Sequence, residues 1–513
     1  MMLLHEVVLG AARSIPGQAA IVHGDEVLTF GELADRVRRT ALFATEFCPV
    51  GGRIAVIGEN DPGWIDLYYG VPAAGRTLVF LNQRLSAPEL SALITRSGAS
   101  VVVGEPTHLD RLRLEGVELP LVDWDGWKLG CLALGDVPIA PVPSASSDAI
   151  PAWLLFTSGT TAAPKGALLT HRSVMAAVAA SSAARPVEPD DVYAFPFPLC
   201  HVAGYNVVHR HFHGRPVVLL DRFEPKTFCA AVAARSATST SLAATMLASL
   251  LDHVDSDPGA LEDLRTLRSI AYGAAPMPPS LLRRADALLG VDFAQGYGMT
   301  ELSGNAVFLD AEAHRRGLAG EPGLLAAAGR PAPGVEVRIA DADDVDVRLG
   351  EVGEILVRAD QMMIGYLDDP DASEAALRGG WLHTGDIGRI DDGGYLHVVD
   401  RSKDIIITGG ENVSSREVED VVAAFPGVLR VAVVGVPDPR WGENVCAVIV
   451  SPEADRPDPA VLAAFVRSRL AGFKVPRHVV FVTELPVNAS GKVLKAQLRE
   501  LLAEEPQLLG PRL

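Results

Sequence analysis

Ten consecutive residues, Thr157-Ser158-Gly159-Thr160-Thr161-Ala162-Ala163-Pro164-Lys165-Gly166, hold four hydroxyls, two glycines and one lysine. Such a stretch offers side-chain donors, backbone N–H groups open to close approach and one positive charge, the set that an anion such as a phosphate chain requires. It follows Trp153-Leu-Leu-Phe156, an apolar run that reads as a buried strand, so the donors would sit on a loop at a strand end. A plain Ser/Thr/Gly surface turn has the same composition and stays open on these residues alone. Two other phosphate devices are disfavoured. A Walker A loop ends Gly-Lys-Ser/Thr, whereas the order here is Pro164-Lys165-Gly166. Gly296-Tyr-Gly298-Met-Thr-Glu301 lacks the third glycine of a dinucleotide fingerprint.

Four more groups of polar residues follow: Gln295-Gly-Tyr-Gly-Met-Thr-Glu301, Gly380-Trp-Leu-His-Thr-Gly-Asp386, Asp400-Arg-Ser-Lys-Asp-Ile-Ile-Ile-Thr-Gly-Gly-Glu-Asn412 and Asn488-Ala-Ser-Gly-Lys492. In this order the five motifs resemble those of the adenylate-forming superfamily, which comprises acyl- and aryl-CoA synthetases, peptide-synthetase adenylation domains and luciferases. The resemblance covers nearly the whole chain and is closest to fatty acyl-CoA synthetases. One departure is Ala162, where the family usually has glycine; if that backbone needs positive φ, alanine costs about 1 kcal/mol or more.

The resemblance implies that a carboxylate attacks the α-phosphorus of ATP and expels pyrophosphate, and that CoA then takes the acyl group. Both partners in the first step are anions, so positive charge and oriented donors are needed. By resemblance, Thr157, Ser158, Gly159, Thr160, Thr161 and Lys165 form the β/γ-phosphate loop. Thr300 meets the α-phosphate and Glu301 holds Mg²⁺ with ATP. Gly273, Ala274, Ala275 and Pro276 form one adenine wall, and Gln295, Gly296, Tyr297, Gly298 and Met299 the other, with Tyr297 stacking on the base. Asp386 and Arg401 bind the ribose. Lys492 bridges the acyl carboxylate and the α-phosphate, and His201, within Pro196-Phe-Pro-Leu-Cys-His-Val-Ala-Gly-Tyr-Asn206, is the counterpart of a gating histidine. A hinge at Ser402-Lys403 lets the C-terminal domain turn, withdrawing Lys492 and bringing Ile407-Thr-Gly409-Gly410 to the pantetheine of CoA.

His209 and His213 would share a helix face, spacing that a metal could use, but no carboxylate or cysteine completes a site and a polar helix surface is the better reading. Cys200 beside His201 makes no dyad, because sequence neighbours rarely face each other. The small and apolar Val202, Ala203, Gly204, Tyr272 and Gly273 suggest a hydrophobic acyl tail, hence a medium- or long-chain fatty acid. An aryl acid, a carrier-protein acceptor in place of CoA, and a nucleotide-binding regulator without catalysis are the alternatives. No extra insertion near the hinge, of the sort that accompanies carrier-protein delivery in this superfamily, is evident from Arg358 to Trp381, and intact Lys165, Glu301, Asp386 and Lys492 weigh against a regulator.

These groups need elements to position them. Arg53–Gly58, Ala99–Gly104, Pro216–Asp221 and Leu267–Tyr272 read as short apolar strands and Asp61–Gly75 as a helix, a pattern of α/β layers with parallel sheet. After about Gly329, Val335–Ala340, Gly353–Arg358 and Gly394–Val399 alternate apolar with polar residues, as antiparallel strands with one wet face do. The expectation is a large N-terminal domain, 1–402, of layered sheets and helices with a β-barrel-like subdomain, and a small mobile α+β domain, 403–513, with a helix from Ser415 and strands near Leu429–Val436 and Asn444–Val450. Pro141–Ser147 reads as a linker. At 513 residues, with 48% hydrophobic and 21% charged residues, the chain suits two or more soluble domains. Its net charge of −19 argues against a nucleic-acid partner. Five scattered cysteines suit a reducing compartment, no basic n-region marks a signal peptide and no apolar run spans a bilayer, so a cytoplasmic protein is expected. The oligomeric state, a homodimer included, stays open.

Overall fold

The computed structural model describes residues 2–135, 150–157, 164–273, 277–401, 404–408, 411–438, 441–487 and 493–509. The proposed linker lies outside them, as do Ala162 and part of the phosphate loop. The chain divides into two compact units, Met1–Val337 with Val357–Leu382, and Arg338–Leu356 with His383–Leu513.

The first unit holds two mostly parallel sheets. A nine-stranded sheet runs, edge to edge, Arg330–Pro331, Gly304–Leu309, Asp292–Met299, Ser269–Gly273, Ser239–Ser241, Tyr193–Phe195, Val217–Leu219, Ala19–His23 and Glu26–Thr29. A seven-stranded sheet runs Gly365–Tyr366, Lys165–Thr170, Pro151–Thr157, Thr77–Phe80, Arg53–Ile57, Val102–Gly104 and Leu121–Asp123. Central strands of parallel sheets are covered on both faces, which explains the unbroken apolar runs at 54–57 and 78–81. The helix Pro62–Ala73 is buried along its whole length, and Asp61 caps it by accepting from the Gly63 N–H at 2.7 Å.

In the second unit the sheet of Glu411–Val413, Ile406–Thr408, Gly442–Val450 and Arg430–Asp438, with His478–Val482 beside Gly442–Val450, is sandwiched. Along Arg430–Asp438 the odd residue Val433 joins a core with Val418, Val422 and Leu462, while Ala432, Val434 and Val436 join one with Leu498 and Leu502. A period of two thus feeds two helix layers. The alternating strands after Gly329 build a four-stranded sheet, Val335–Ala340, Gly353–Ala359, Leu382–Ile390 and Leu396–Arg401. Among the described residues the end strands of this sheet are not paired with each other, so it is an open sheet and not a closed barrel. No helix among the described residues is long and apolar enough to cross a membrane.

Several histidines are buried neutral in the first unit. His211 accepts from the Tyr69 hydroxyl at Nδ1 (2.9 Å) and meets the Ala20 carbonyl with Nε2 (3.1 Å), which fixes the proton on Nε2. Burial pushes its pKa, and that of His201, down to about 4, and pushes His209 well below its usual value. A histidine whose folded pKa lies below its unfolded one stabilises the fold above about pH 6.5 and loses that contribution as pH falls toward 4. His211 alone accounts for about 3 kcal/mol over that window. Asp66, raised by burial to about 6 despite Arg36, opposes one such histidine. The urea midpoint is therefore expected to fall steadily from pH 6.5 to 4, and a flat profile would contradict the neutral burial of these rings.

Candidate active site

The two ends of the phosphate loop are fixed by strand pairing. Pro151–Thr157 and Lys165–Thr170 are antiparallel, with Thr157 directly opposite Lys165, and the Thr157 hydroxyl donates to the Lys165 carbonyl at 3.3 Å. Ser158, Gly159, Thr160 and Thr161 lie outside the described residues. Lys165 Nζ lies 5.1 Å from the centre of the Tyr366 ring, a cation held over an aromatic face. Tyr366 in turn donates to Glu301 Oε1 at 2.9 Å. Burial and the adjacent Glu301 carboxylate both raise the Tyr366 phenol, so it stays a donor. Lys165, Tyr366 and Glu301 therefore form one wall.

Tyr366 was not singled out in the sequence. It arrives there because Gly365–Tyr366 pairs with Lys165–Thr170 and the Leu367 N–H bonds to the Gly166 carbonyl at 2.8 Å. Glu301 is 7% exposed and follows Thr300 in a 3-10 turn, Thr300–Leu302, at the end of the strand Asp292–Met299. The single signal for Tyr366 was an aromatic ring beside a glycine. Tyr366→Phe deletes one hydrogen bond to a carboxylate, worth about 1.5–3 kcal/mol, so the KM for ATP–Mg²⁺ is expected to rise roughly 10- to 100-fold. An unchanged KM would remove Tyr366 from the site.

The strand Asp292–Met299 divides two compartments. Gln295 pairs with Tyr272, and Tyr297 shares their face by the alternation of side chains. Gly296 pairs with Gly273 on the opposite face, where a Cβ at Gly273 would lie 2.4 Å from the Gly296 carbonyl oxygen; that contact requires glycine. Tyr297, Gly298, Met299 and Thr300 are all half-exposed, as groups facing a cleft are. Ala274, Ala275 and Pro276 lie outside the described residues.

The segment that leads into His201 is anchored by residues that the sequence did not single out. Asn60 donates to the Phe197 and Leu220 carbonyls (2.8 and 2.7 Å) and accepts from the Leu199 N–H (2.7 Å), while the Tyr68 hydroxyl bonds to the Leu199 carbonyl. His201 Nε2 is buried and makes no hydrogen bond among the described residues. Burial, and then Arg84, lower its pKa, so the ring is neutral at pH 7. Cys200 faces Gln83 (3.4 Å) and burial pushes its thiol up to about 12, so it is no nucleophile. The ring centres of His209 and His213 are 5.4 Å apart, yet His213 bonds Ser182 at 2.9 Å and no metal-type cluster of three or more residues occurs among the described residues.

One expected acyl-tail contact, Tyr272, is corrected. Tyr272 points into the helix-covered core and its hydroxyl meets His314 Nε2 at 2.8 Å. Gly204 is buried against the Tyr68 ring, where any side chain would collide.

In the second unit, Gly385 takes φ +68 and donates to Glu354 (3.0 Å), and Asp386 follows it, 7% exposed, with its N–H on the Thr384 hydroxyl at 3.1 Å. Asp386 and Arg401 stand directly opposite across the antiparallel pair of Leu382–Ile390 and Leu396–Arg401. Sequence spacing alone could not show that register. Lys403, Gly409, Gly410 and Lys492 lie outside the described residues.

Residues 10–367 match the family described as AMP-binding enzyme, and residues 417–492 match the AMP-binding enzyme C-terminal domain. The chain therefore belongs to the AMP-binding enzyme family. A feruloyl-CoA synthase from an Amycolatopsis species is 37% identical over 504 residues, spanning 95% of this chain and 96% of its own. A fatty acid–[acyl-carrier-protein] ligase from Streptomyces coeruleorubidus is 33% identical over 503 residues, spanning 95% and 94%. Among solved structures, o-succinylbenzoate CoA synthetase from Bacillus subtilis, in complex with the acyl-adenylate intermediate OSB-AMP, superposes with a TM-score of 0.85 at 28% identity over 96% of this chain and 97% of its own.

Proposed function

We propose that the protein is an AMP-forming acid–CoA ligase: it joins a carboxylic acid to ATP as an acyl adenylate with release of pyrophosphate, then transfers the acyl group to CoA. The observation that carries this reading is the wall in which Lys165, at the mouth of the loop, and Glu301 both contact Tyr366. It places a cation and a carboxylate beside the same loop, where a triphosphate and its counter-ion need both.

In the first step a carboxylate oxygen bonds to the α-phosphorus as the bond to pyrophosphate breaks. Thr157, Ser158, Gly159, Thr160, Thr161 and Lys165 hold the departing phosphates, Thr300 the α-phosphate, and Lys492 neutralises the two anions as they approach. Tyr297 packs on adenine with Gln295, Gly298, Met299 and the segment 273–276. Asp386 accepts from the ribose hydroxyls, aided by Arg401. Neutral His201 borders the carboxylate without adding an unpaired buried charge. Glu301 suits Mg²⁺, because one buried carboxylate, with no protein cage among the described residues, is the usual share of a cation that travels with phosphates. Mg²⁺ would supply charge neutralisation at the phosphate oxygens. In the second step the thiol sulfur bonds to the acyl carbonyl, the bond to AMP breaks and the thiol proton leaves. A turn of residues 403–513 about Ser402-Lys403 would exchange Lys492 for Gly409-Gly410 beside the pantetheine.

A medium- or long-chain fatty acid is the acid that the sequence favoured, and an aromatic acid is the competitor. Carrier-protein delivery is the second reading, supported by the similarity to a carrier-protein ligase. Pyrophosphate release with a panel of fatty and aromatic acids, with CoA, with a phosphopantetheinylated carrier protein or with neither, tests all of it. Acid-dependent release that yields a thioester only with CoA is the expected result. No acid-dependent release would overturn the proposal.

A further inference from the structure

We infer that Gln361 is a positioning residue for nucleotide binding: it anchors a strap, residues 361–367, that sets the spacing between Glu301 and Lys165. The inference rests on the adenylation reading, in which these two residues meet Mg²⁺ and the β- and γ-phosphates, and goes beyond it.

The two charged groups arrive on different sheets. Lys165 opens a strand of the seven-stranded sheet, and Glu301 stands in the 3-10 turn that follows Asp292–Met299 in the nine-stranded sheet. Residues 361–367 touch both. The second half of the strap joins the strand of the lysine. Gly365 and Tyr366 pair with Leu168 and Ala167, the Ile364 N–H donates to the Leu168 carbonyl at 3.0 Å and the Leu367 N–H to the Gly166 carbonyl at 2.8 Å. The first half joins the turn of the glutamate, where the Met363 N–H donates to the Glu301 carbonyl at 2.8 Å. Between them the Tyr366 side chain contacts Lys165 and Glu301 together. A shift at either end of the strap therefore changes the distance between the two charges.

Gln361 fixes the glutamate end. It is 1% exposed, and its Nε2 donates to the Leu302 carbonyl at 2.9 Å and to the Asn305 carbonyl at 3.1 Å. Those two carbonyls bracket Ser303 and Gly304, whose φ angles are +55 and +149. A serine keeps such a backbone only where its surroundings hold it. Leu302 and Ser303 are fully buried, so water is a poor substitute for the carboxamide. Loss of both donors frees the turn that carries Glu301, while the pairing of residues 365–366 with 167–168 keeps the lysine end in place.

The test compares ATP with AMP, each with Mg²⁺ and without acid, by isothermal titration calorimetry. AMP lacks the β- and γ-phosphates, so its binding does not depend on the spacing of Glu301 and Lys165. Gln361→Met keeps the length of the side chain and removes both donors. Its Kd for ATP is expected to rise about 10- to 100-fold, the usual cost of losing a group that orients a ligating residue, and its Kd for AMP to stay within about threefold. A merely structural role would weaken both nucleotides alike, or lower the melting temperature alone. Gln361→Asn holds the same donors one methylene short and should shift ATP in the same direction by less, which keeps the comparison available should the Met variant not fold. Unchanged ATP binding in the variants, or parallel losses for ATP and AMP, overturns the inference and leaves adenylation standing. A parent protein that does not bind ATP overturns the adenylation reading as well.

Discussion

Lys492→Ala is expected to lower acid-dependent pyrophosphate release by roughly two to three orders of magnitude, as the loss of other preorganised charge contacts to a developing transition state does. The attacking carboxylate and the α-phosphate are both anionic, and no other cation is proposed to contact both. On either side of residues 488–492, Val487 and Val493 are bridged, and the Leu494 N–H bonds to the Pro486 carbonyl at 2.8 Å. Just beyond, Lys495 pairs with Glu419 at 2.8 Å and the helix Lys495–Glu504 is anchored through Leu498 and Leu502. The variant should therefore fold as the parent does. Supplied with ready-made acyl adenylate and CoA, it should make thioester at close to the parental rate, since the proposed second step does not use this lysine. Near-parental pyrophosphate release, or loss of both steps together, would remove Lys492 from the mechanism.

Lys403→Pro is expected to separate the two half-reactions from the other side. Proline holds φ near −65° and deletes an N–H, so a residue proposed to swing between two backbone states would be locked in one. Adenylation should stay within about threefold of the parent, while thioester formation from acyl adenylate should fall by at least ~100-fold. Side chains on both flanks bear on the pivot. Asp400 accepts from the Ser415 N–H at 2.6 Å and its hydroxyl at 2.7 Å, and Arg499 pairs with Asp404 at 2.8 Å. The Asp400–Ser415 contact spans the proposed hinge and has to turn or part when the C-terminal residues rotate. Quenched-flow assays of each half-reaction make the comparison, and equal losses in both steps would count against alternation.

The α/β layering was legible in the sequence because local alternation and apolar runs mark strands whatever their partners: Arg53–Ile57, Val102–Gly104 and Val217–Leu219 each fall on or within a predicted run. The family was legible in the order of its motifs, and the family models match residues 10–367 and 417–492. What the sequence lacked was pairing. Tyr366 meets Glu301 across 65 positions, and Asn60 reaches Leu220 across 160, contacts that only sheet order creates. Tyr272 was misassigned to the acyl tail because period-two alternation assigns a face only once the neighbouring strands are known.

The most direct test of an acyl adenylate follows the carboxylate oxygen itself. With an acid labelled with ¹⁸O in both carboxyl positions, unlabelled ATP and CoA, attack on the α-phosphorus leaves one labelled oxygen on AMP when the thiol displaces it. Mass spectrometry should find one ¹⁸O in AMP for each acyl-CoA formed and none in pyrophosphate. Unlabelled AMP, or label in inorganic phosphate, would contradict activation at the α-phosphorus.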